Sequence, residues 1–161
     1  NFLDILTHGR SESDILKEMA PNESAYRSLT RAWFSHSSLF EMLRKLAETD
    51  TTIVLTTDHG CVLSGRATVA HGNRDTSTNL RYKYGKNLRC DSRHAVHVKD
   101  PEVYGLPSIG LGTNYIITKE DHYFVYPTKF NEYQRLYANS FQHGGISMEE
   151  MILPVAILKG R

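Results

Sequence analysis

Aspartate and histidine residues on three separate segments of the chain have the types and spacing of a metal site. Carboxylates and imidazoles are the groups that zinc-like metals take as ligands in proteins. Because the three segments lie far apart in sequence, we expect folding to bring them together around a shared cation cluster. The candidate ligands are Asp4, His8, Asp58, His59 and His143.

Each segment favours this interpretation, although each also has an ordinary structural explanation. A spacing of four residues places Asp4 and His8 on one face of a helical turn. Asp58 and His59 follow an apolar run, at the kind of strand end where α/β folds place ligands. His143 precedes two glycines, and paired glycines predict close packing of the backbone. The alternatives are a capping aspartate and surface or core histidines.

Composition is that of an ordinary globular protein. The chain has 161 residues, of which 40% are hydrophobic and 23% charged, with a net charge of +1. This length suits one compact domain, and no apolar run approaches the roughly 20 residues of a membrane span. The two cysteines predict free thiols in a reducing cytoplasm. Neither end looks like a natural terminus, so we expect a piece of a longer protein.

The elements that must position the ligands follow from hydrophobic periodicity. Helical spacing predicts a short helix over 12–20, then one long helix or two with a joint near Ser35–His36, up to Thr49. Residues 51–57 are apolar and β-branched, which predicts a buried strand. The order of elements predicts an α/β fold, with a sheet flanked by helices and an irregular β-rich insert over about 60–127.

The second half of the chain contains shorter patterns, which predict short strands and helices. The insert contains β-like pieces, and residues 115–118 and 123–126 predict a hairpin. Residues 130–141 predict a helix. Ser147 and Glu150 have the spacing of a capping box, and residues 155–158 predict a last strand. The β-like pieces are Val62–Leu63, Ala67–Ala70 and Ala95–Val98.

A basic stretch of the insert is a candidate substrate surface. Its cations suit phosphates and its tyrosines can stack on bases; the alternative is a solvated basic face. Residues of one strand divide between two faces, so the cations cannot all converge, and Lys83 and Lys86 are the candidate substrate-binding residues. The stretch contains Arg74, Arg81, Lys83, Lys86, Arg89 and Arg93, with Tyr82 and Tyr84 between them.

With these residues identified, the chain resembles the PglZ-domain branch of the alkaline phosphatase superfamily. The order of Asp4, His8, Asp58–His59 and His143 follows the superfamily's ligand order. The run from Phe141 to Met151 resembles the C-terminal signature of the branch. The segment from Thr76 to Leu88 is similar to PorX-type response regulators, whose effector is a PglZ domain linked to type IX secretion.

The resemblance implies a metal-dependent phosphohydrolase with two zinc ions. Asp4, His8 and His143 resemble the ligands of one zinc, and Asp58 and His59 resemble two ligands of the other. The family's Ser or Thr nucleophile and an early Asp stand upstream of Asp4. Residues 1–161 would then be the C-terminal part of one alkaline-phosphatase-like domain, inactive alone, with no catalytic nucleophile of its own.

The resemblance also implies partners. PorX-like members suggest phosphodiester bonds of small oligonucleotides as substrate, an N-terminal receiver domain in the intact cytoplasmic protein, and a possible homodimer. The rival functions are a catalytically silent nucleotide-sensing PglZ domain, a purely structural domain without stoichiometric zinc, and a PglZ protein of a phage-defence system.

Overall fold

The computed structural model describes residues 6, 13–72 and 78–161. The predicted ligands Asp4 and His8 lie outside the described residues. So do Arg74 of the basic stretch and the first residues of the segment that begins at Thr76.

The chain divides into two compact units, Asn1–Asp58 with Ile152–Arg161, and His59–Met151. Both helices and small β-sheets are present, which confirms the predicted mixed α/β class. In the first unit the helices are α1 (Asp14–Met19), α2 (Glu23–Ser35) and α3 (Ser38–Leu46), and the strands are β1 (Thr52–Leu55) and β9 (Ala156–Lys159).

Polar side chains fix where these helices begin. Asn22 caps α2 by accepting a hydrogen bond from the amide of Ala25 at 3.0 Å. The stretch up to Thr49 forms two helices, and Ser37 makes the joint. Its hydroxyl donates to the carbonyl of Phe34 at 2.7 Å and accepts from the amide of Phe40 at 3.1 Å. One residue therefore closes α2 and starts α3.

Strand β1 forms where the sequence predicts a strand, but the prediction that it is buried is wrong. It pairs antiparallel with β9 in a two-stranded sheet. Most of its residues are exposed, and Val54 keeps 59% of its surface accessible. A two-stranded ribbon presents two faces, and β1 is not enclosed between neighbouring strands as in the predicted α/β sheet.

The second unit contains the predicted insert and the elements that follow it. Its helices are α4 (Phe130–Tyr137) and α5 (Met148–Met151). Its strands are β2 (Val62–Ser64), β3 (Arg66–Val69), β4 (Tyr82–Lys86), β5 (Ala95–Val98), β6 (Thr113–Thr118), β7 (His122–Val125) and β8 (Ser140–Gln142). The pieces predicted around residues 62, 67 and 95 are thus confirmed.

Small sheets surround one apolar core in this unit. β6 lies between β4 and β5 in an antiparallel sheet, β2 pairs antiparallel with β8, and β3 pairs parallel with β7. A cluster of fully buried side chains comes from β5, β6 and β7 and from the residues that follow β3 and β4. That cluster consists of Ala70, Leu88, Ala95, Ile116 and Phe124.

The prediction of a hairpin between β6 and β7 is wrong. β6 pairs with β4 and β5, whereas β7 pairs with β3. The connection turns sharply at Glu120, whose φ of 48° is left-handed. The carbonyl of Asp121 then accepts hydrogen bonds from the amides of Gly65 and Arg66, at 3.1 and 3.3 Å. These two hydrogen bonds place β7 beside β3.

The helix predicted over 130–141 ends early, at Tyr137. Asn139 adopts a left-handed φ of 58°, and its amide donates to the carbonyl of Ser64 at 2.8 Å. Phe141 then joins β8, where it lies opposite Leu63 and is only 2% exposed. Residues 140 and 141, which the helical pattern assigned to the helix, therefore pair with β2 as part of strand β8.

Both cysteines lie in the described part of the chain, half-buried and outside any disulfide, as predicted. Burial raises the pKa of the Cys90 thiol, and the neighbouring Asp91 carboxylate raises it further. Among the described residues, no helix combines the length and apolar character that crossing a membrane demands.

Candidate metal and phosphate site

The structure brings two of the predicted ligands, His59 and His143, into direct contact. Their rings stack with centroids 3.8 Å apart and an angle of 11° between planes. His59 stands before the β2 segment and His143 directly after β8, and these two strands pair with each other. The β2–β8 ladder therefore joins two histidines that lie more than eighty positions apart in the sequence.

A backbone contact sets the tautomer of His59. Its Nδ1 lies 3.0 Å from the carbonyl oxygen of Gly60. A carbonyl oxygen only accepts, so this hydrogen bond requires a proton on Nδ1. Metal-binding histidines commonly donate one ring N–H to a backbone carbonyl in this way, which orients the other nitrogen. The chemistry of this pair therefore fits a metal ion.

Gly60 is required by a close approach of two backbone segments. Its amide donates to the carbonyl of Glu150 at 3.1 Å. A Cβ at this position would stand 1.8 Å from the carbonyl oxygen of Glu149, which no side chain tolerates. The segment that carries His59 is thus docked directly on the start of the chain's last helical turn.

The two glycines after His143 also fulfil the prediction of close packing. Gly144 has a φ of 99°, and a Cβ there would lie 2.8 Å from the ring of Tyr82. A Cβ on Gly145 would lie 2.4 Å from Nη2 of Arg81. Substitution at either position therefore displaces a side chain that supports the His143 loop.

Arg81 and Glu150 form a buried ion pair beneath this loop. Nη2 and Nε of Arg81 lie 2.6 and 2.8 Å from the two carboxylate oxygens. Glu150 also accepts from the amides of Gly145 and Ser147, at 2.9 and 3.0 Å. Burial by itself raises the pKa of Glu150, but the hydrogen bonds from Arg81 and from these amides outweigh it and hold the pKa below its ordinary value.

This pair corrects two sequence predictions. Arg81 is not part of an exposed basic face, because its side chain is 0% exposed. The capping box at Ser147 forms only in part. The carboxylate of Glu150 reaches the Ser147 amide as predicted, but the Ser147 hydroxyl is buried and accepts no hydrogen bond.

Asp58 is exposed at the end of the first unit's leading segment. The hydroxyl of Thr57 donates to its Oδ1 at 3.4 Å. The hydroxyl of Thr56 instead donates to the carbonyl of Pro154 at 2.9 Å. Both threonine hydroxyls therefore have a hydrogen-bond partner, which for Thr57 is the next residue in sequence and for Thr56 lies 98 positions away.

The two candidate substrate-binding lysines differ in their surroundings. Lys83 is 1% exposed, its Nζ donates to the carbonyl of Asn79 at 2.9 Å, and it lies 4.7 Å from the ring centroid of Tyr126. Burial lowers the pKa of Lys83 to about 8. Lys86, at the end of the same strand, is exposed. Of these two lysines, only Lys86 thus has a solvent-exposed side chain.

An aromatic pocket adjoins the His143 loop. Alternation along β4 places Tyr82, Tyr84 and Lys86 on one face of the strand. Tyr84 packs on Tyr115 of the neighbouring strand, with centroids 5.6 Å apart. The pocket has a volume of about 460 Å³. It is lined by Tyr82, Tyr84, Tyr115, Leu106, Pro107, Ile109, Ile117 and Gly144.

A second group of metal-type ligands lies at the turn between β6 and β7. Ligand atoms of Glu120, Asp121 and His122 all lie within 4.8 Å of one another. Both carboxylates, however, pair with the guanidinium of Arg66. Burial lowers the pKa of His122, and the nearby Arg66 and His94 lower it further. The Arg66 guanidinium therefore already offsets one of the two negative charges of this group.

Comparisons with known proteins identify the family of the chain. No curated protein matches the chain. Residues 1–158 match the family model described as the BREX system PglZ alkaline phosphatase-like domain. The match covers nearly the whole chain, including all five predicted metal ligands. The chain therefore belongs to the PglZ family of alkaline phosphatase-like domains.

Proposed function

We propose that the chain is the metal-binding part of a zinc-dependent phosphodiesterase that acts on small oligonucleotides. The family suggests hydrolysis of phosphate esters. The observation that carries the finer proposal is the stacked pair of His59 and His143 beside a tyrosine-lined pocket. Imidazole nitrogens supply metal ligands, and tyrosine rings receive the bases of a nucleotide.

In this proposal Asp4, His8 and His143 hold one zinc, and Asp58 and His59 contribute to the second. Zinc bound there supplies Lewis-acid stabilisation of phosphate oxygens and lowers the pKa of a hydroxyl nucleophile. Following the family pattern, we propose that the Ser or Thr nucleophile and one more Asp belong to a part of the domain upstream of Asp4, so that residues 1–161 are inactive alone.

The chain's own residues then perform three tasks. The Gly60 carbonyl holds the His59 ring in one tautomer, and the Arg81–Glu150 pair supports the loop that carries His143. The tyrosine pocket takes an aromatic base. Exposed Lys86, on the same strand face as Tyr82 and Tyr84, attracts the phosphate backbone. Lys83 has no place in this surface because it is buried.

The biological context has two candidates. Similarity of the stretch beginning at Thr76 to PorX-type proteins favours a cytoplasmic response regulator of type IX secretion, with a receiver domain and a homodimeric state. The name of the matching family model favours a BREX system instead. Co-purification of the intact protein from its native cell separates them, because each context supplies different stable partners.

The function is tested with a chromogenic phosphodiester and the intact protein. We expect His143→Ala to lower zinc-dependent turnover by about 100-fold or more, since loss of a ligand removes an ion that stabilises the transition state. His36→Ala is the matched control, because His36 is an exposed histidine of α2's end. Turnover by His143→Ala equal to that of the control would contradict the proposal.

Metal content separates the rival functions. Stoichiometric zinc in purified intact protein, without turnover of any phosphodiester, would indicate a catalytically silent nucleotide sensor. Protein without stoichiometric zinc after growth in zinc-supplemented medium would indicate a purely structural domain. The proposed hydrolase requires both zinc and turnover.

A further inference from the structure

A large cleft in the second unit is lined by basic side chains and shares no lining residue with the His59–His143 pair or its tyrosine pocket. Its volume is about 1180 Å³. Its basic residues are His71, Arg89, His97, Lys99 and Lys129. None of its described lining residues is a carboxylate, so the cleft has the electrostatic character of an anion site.

The backbone places two of these basic residues opposite each other. His71 and Arg89 form a β-bridge with mutual N–H···O hydrogen bonds of 2.9 and 2.8 Å. Residues opposite each other in such a bridge project their side chains to the same face. His97 lies on β5, and Lys99 directly follows Val98, the last residue of that strand.

These charges are only slightly compensated within the described residues. Lys129 pairs with Glu132 at 3.2 Å on the exposed surface. No ion pair among the described residues includes Arg89 or Lys99, and both side chains are exposed. Cations that face one cleft repel each other, and an anionic ligand relieves this repulsion.

Two tyrosines distinguish the cleft from a simple anion site. Tyr126 and Tyr133 lie among its lining residues. Each ring is held by a packing partner, since Lys83 lies 4.7 Å from the Tyr126 centroid and Tyr137 lies 5.7 Å from the Tyr133 centroid. A ring already fixed by its neighbours stacks on a base without losing much rotamer entropy.

We propose that this cleft binds the phosphates and bases of a short single-stranded oligonucleotide, independently of the metal site. Phosphates contact Arg89 and Lys99, and a base stacks against Tyr133. The cleft is therefore a second nucleic-acid site on the same unit, and it holds a strand without hydrolysing it.

The test is fluorescence anisotropy of labelled hexathymidylate with the intact protein in excess chelator, so that metal-dependent hydrolysis plays no part. We expect the double substitution Arg89→Gln/Lys99→Gln to weaken binding about tenfold. It should also reduce the slope of log affinity against log salt by about 1.4, because each phosphate contact on a single strand contributes about 0.7.

Matched controls separate this cleft from general charge. Arg31→Gln/Arg135→Gln removes the same two charges from exposed helix positions outside the cleft and should leave affinity within about twofold of the wild type. Tyr133→Leu should weaken binding whereas Tyr133→Phe should not, because stacking needs the ring and not the hydroxyl. Circular dichroism establishes that each variant is folded.

Three results would overturn the proposal. The first is equal affinity of the cleft variant and the charge-matched control. The second is indifference of binding to Tyr133→Leu, which would reduce the cleft to an anion site. The third is equally tight binding of a hexaglutamate peptide, which would identify an acidic protein segment as the ligand. Each leaves the zinc-dependent turnover test unaffected, since His59 and His143 are intact in every variant.

Discussion

Arg81 and Glu150 form an ion pair 2.6 Å long whose side chains are 0% and 2% exposed. The pair lies directly against Gly145, and so it supports the loop that begins at His143. A buried ion pair adds little net stability by itself, but removing one partner leaves an uncompensated charge in the interior. The loop therefore depends on Arg81, which lies sixty-nine positions before its partner Glu150 in the sequence.

Neutralising the buried carboxylate should destabilise the protein strongly. We expect Glu150→Gln to lower the free energy of unfolding by about 3 kcal/mol, because Arg81 is left buried and unpaired. The matched control is Glu149→Gln at the adjacent exposed position, with a change within about 0.5 kcal/mol. Urea unfolding followed by circular dichroism measures both, and equal midpoints would contradict the role of the pair.

Filling the space at Gly145 should also destabilise the fold. A methyl group there would lie 2.4 Å from Arg81 Nη2. We expect Gly145→Ala to cost about 2 kcal/mol of unfolding free energy, within the range for overpacking. In an Arg81→Met/Glu150→Met background the same substitution should cost much less, because the guanidinium is gone. Equal costs in the two backgrounds, compared in a double-mutant cycle, would show that Arg81 does not cause the strain.

Burial of Lys83 predicts a particular pH profile of stability. Its pKa is about 8 in the folded state, against an ordinary value of 10.5. Between these values the unfolded chain binds a proton that the folded chain has released, so the free energy of unfolding rises with pH. The full rise is about 3 kcal/mol, at about 1.4 kcal/mol per unit of pKa shift.

Replacement of the lysine should remove this rise. The free energy of unfolding of Lys83→Met should exceed that of the wild type most below about pH 8, and the two should be nearly equal above pH 10.5. Lys86→Met, which removes an exposed cation from the same strand, should keep the wild-type profile. Urea unfolding at several pH values measures these differences. If Lys83→Met raised the free energy of unfolding by the same amount at every pH, the Lys83 amine would not be desolvated in the folded state.

Zinc affinity should fall as the solution is acidified. Protons compete with the metal for imidazole nitrogens and carboxylate oxygens, so binding releases protons and weakens at low pH. Equilibrium dialysis of intact protein should show weaker zinc binding at acidic than at neutral pH, and His59→Ala should bind less zinc than His36→Ala throughout. Zinc binding that is the same at acidic and neutral pH would argue against histidine ligands.

Local signals predicted the local structure well. The joint between α2 and α3 is set by Ser37, whose hydroxyl bonds Phe34 and Phe40, all within a few residues of one another. The predicted tight packing at the glycines after His143 is also present. The joint depends on short-range hydrogen bonds, which a sequence displays directly. The partners of the two glycines, Tyr82 and Arg81, lie more than sixty positions away, and only the need for a residue without a side chain is visible locally.

The misassigned features all depend on distant partners. Alternation along β4 shows that Arg81 and Lys83 share one face and Tyr82 and Tyr84 the other, but not which face is buried. Glu150, far along the chain, makes burial of Arg81 tolerable. The hairpin prediction failed for the same reason, since the Asp121 carbonyl is taken by backbone amides of a remote strand. No local pattern reports such pairings.

The salt link beneath the His143 loop has a consequence for protein engineering. The short motif around the paired glycines cannot be transplanted by itself into another scaffold. Its backbone packs against the guanidinium of Arg81, which belongs to a distant part of the sequence. A functional graft must carry the arginine-bearing strand with it. Conversely, a distant homologue that kept the glycines but lost this arginine would need a compensating change at the glutamate.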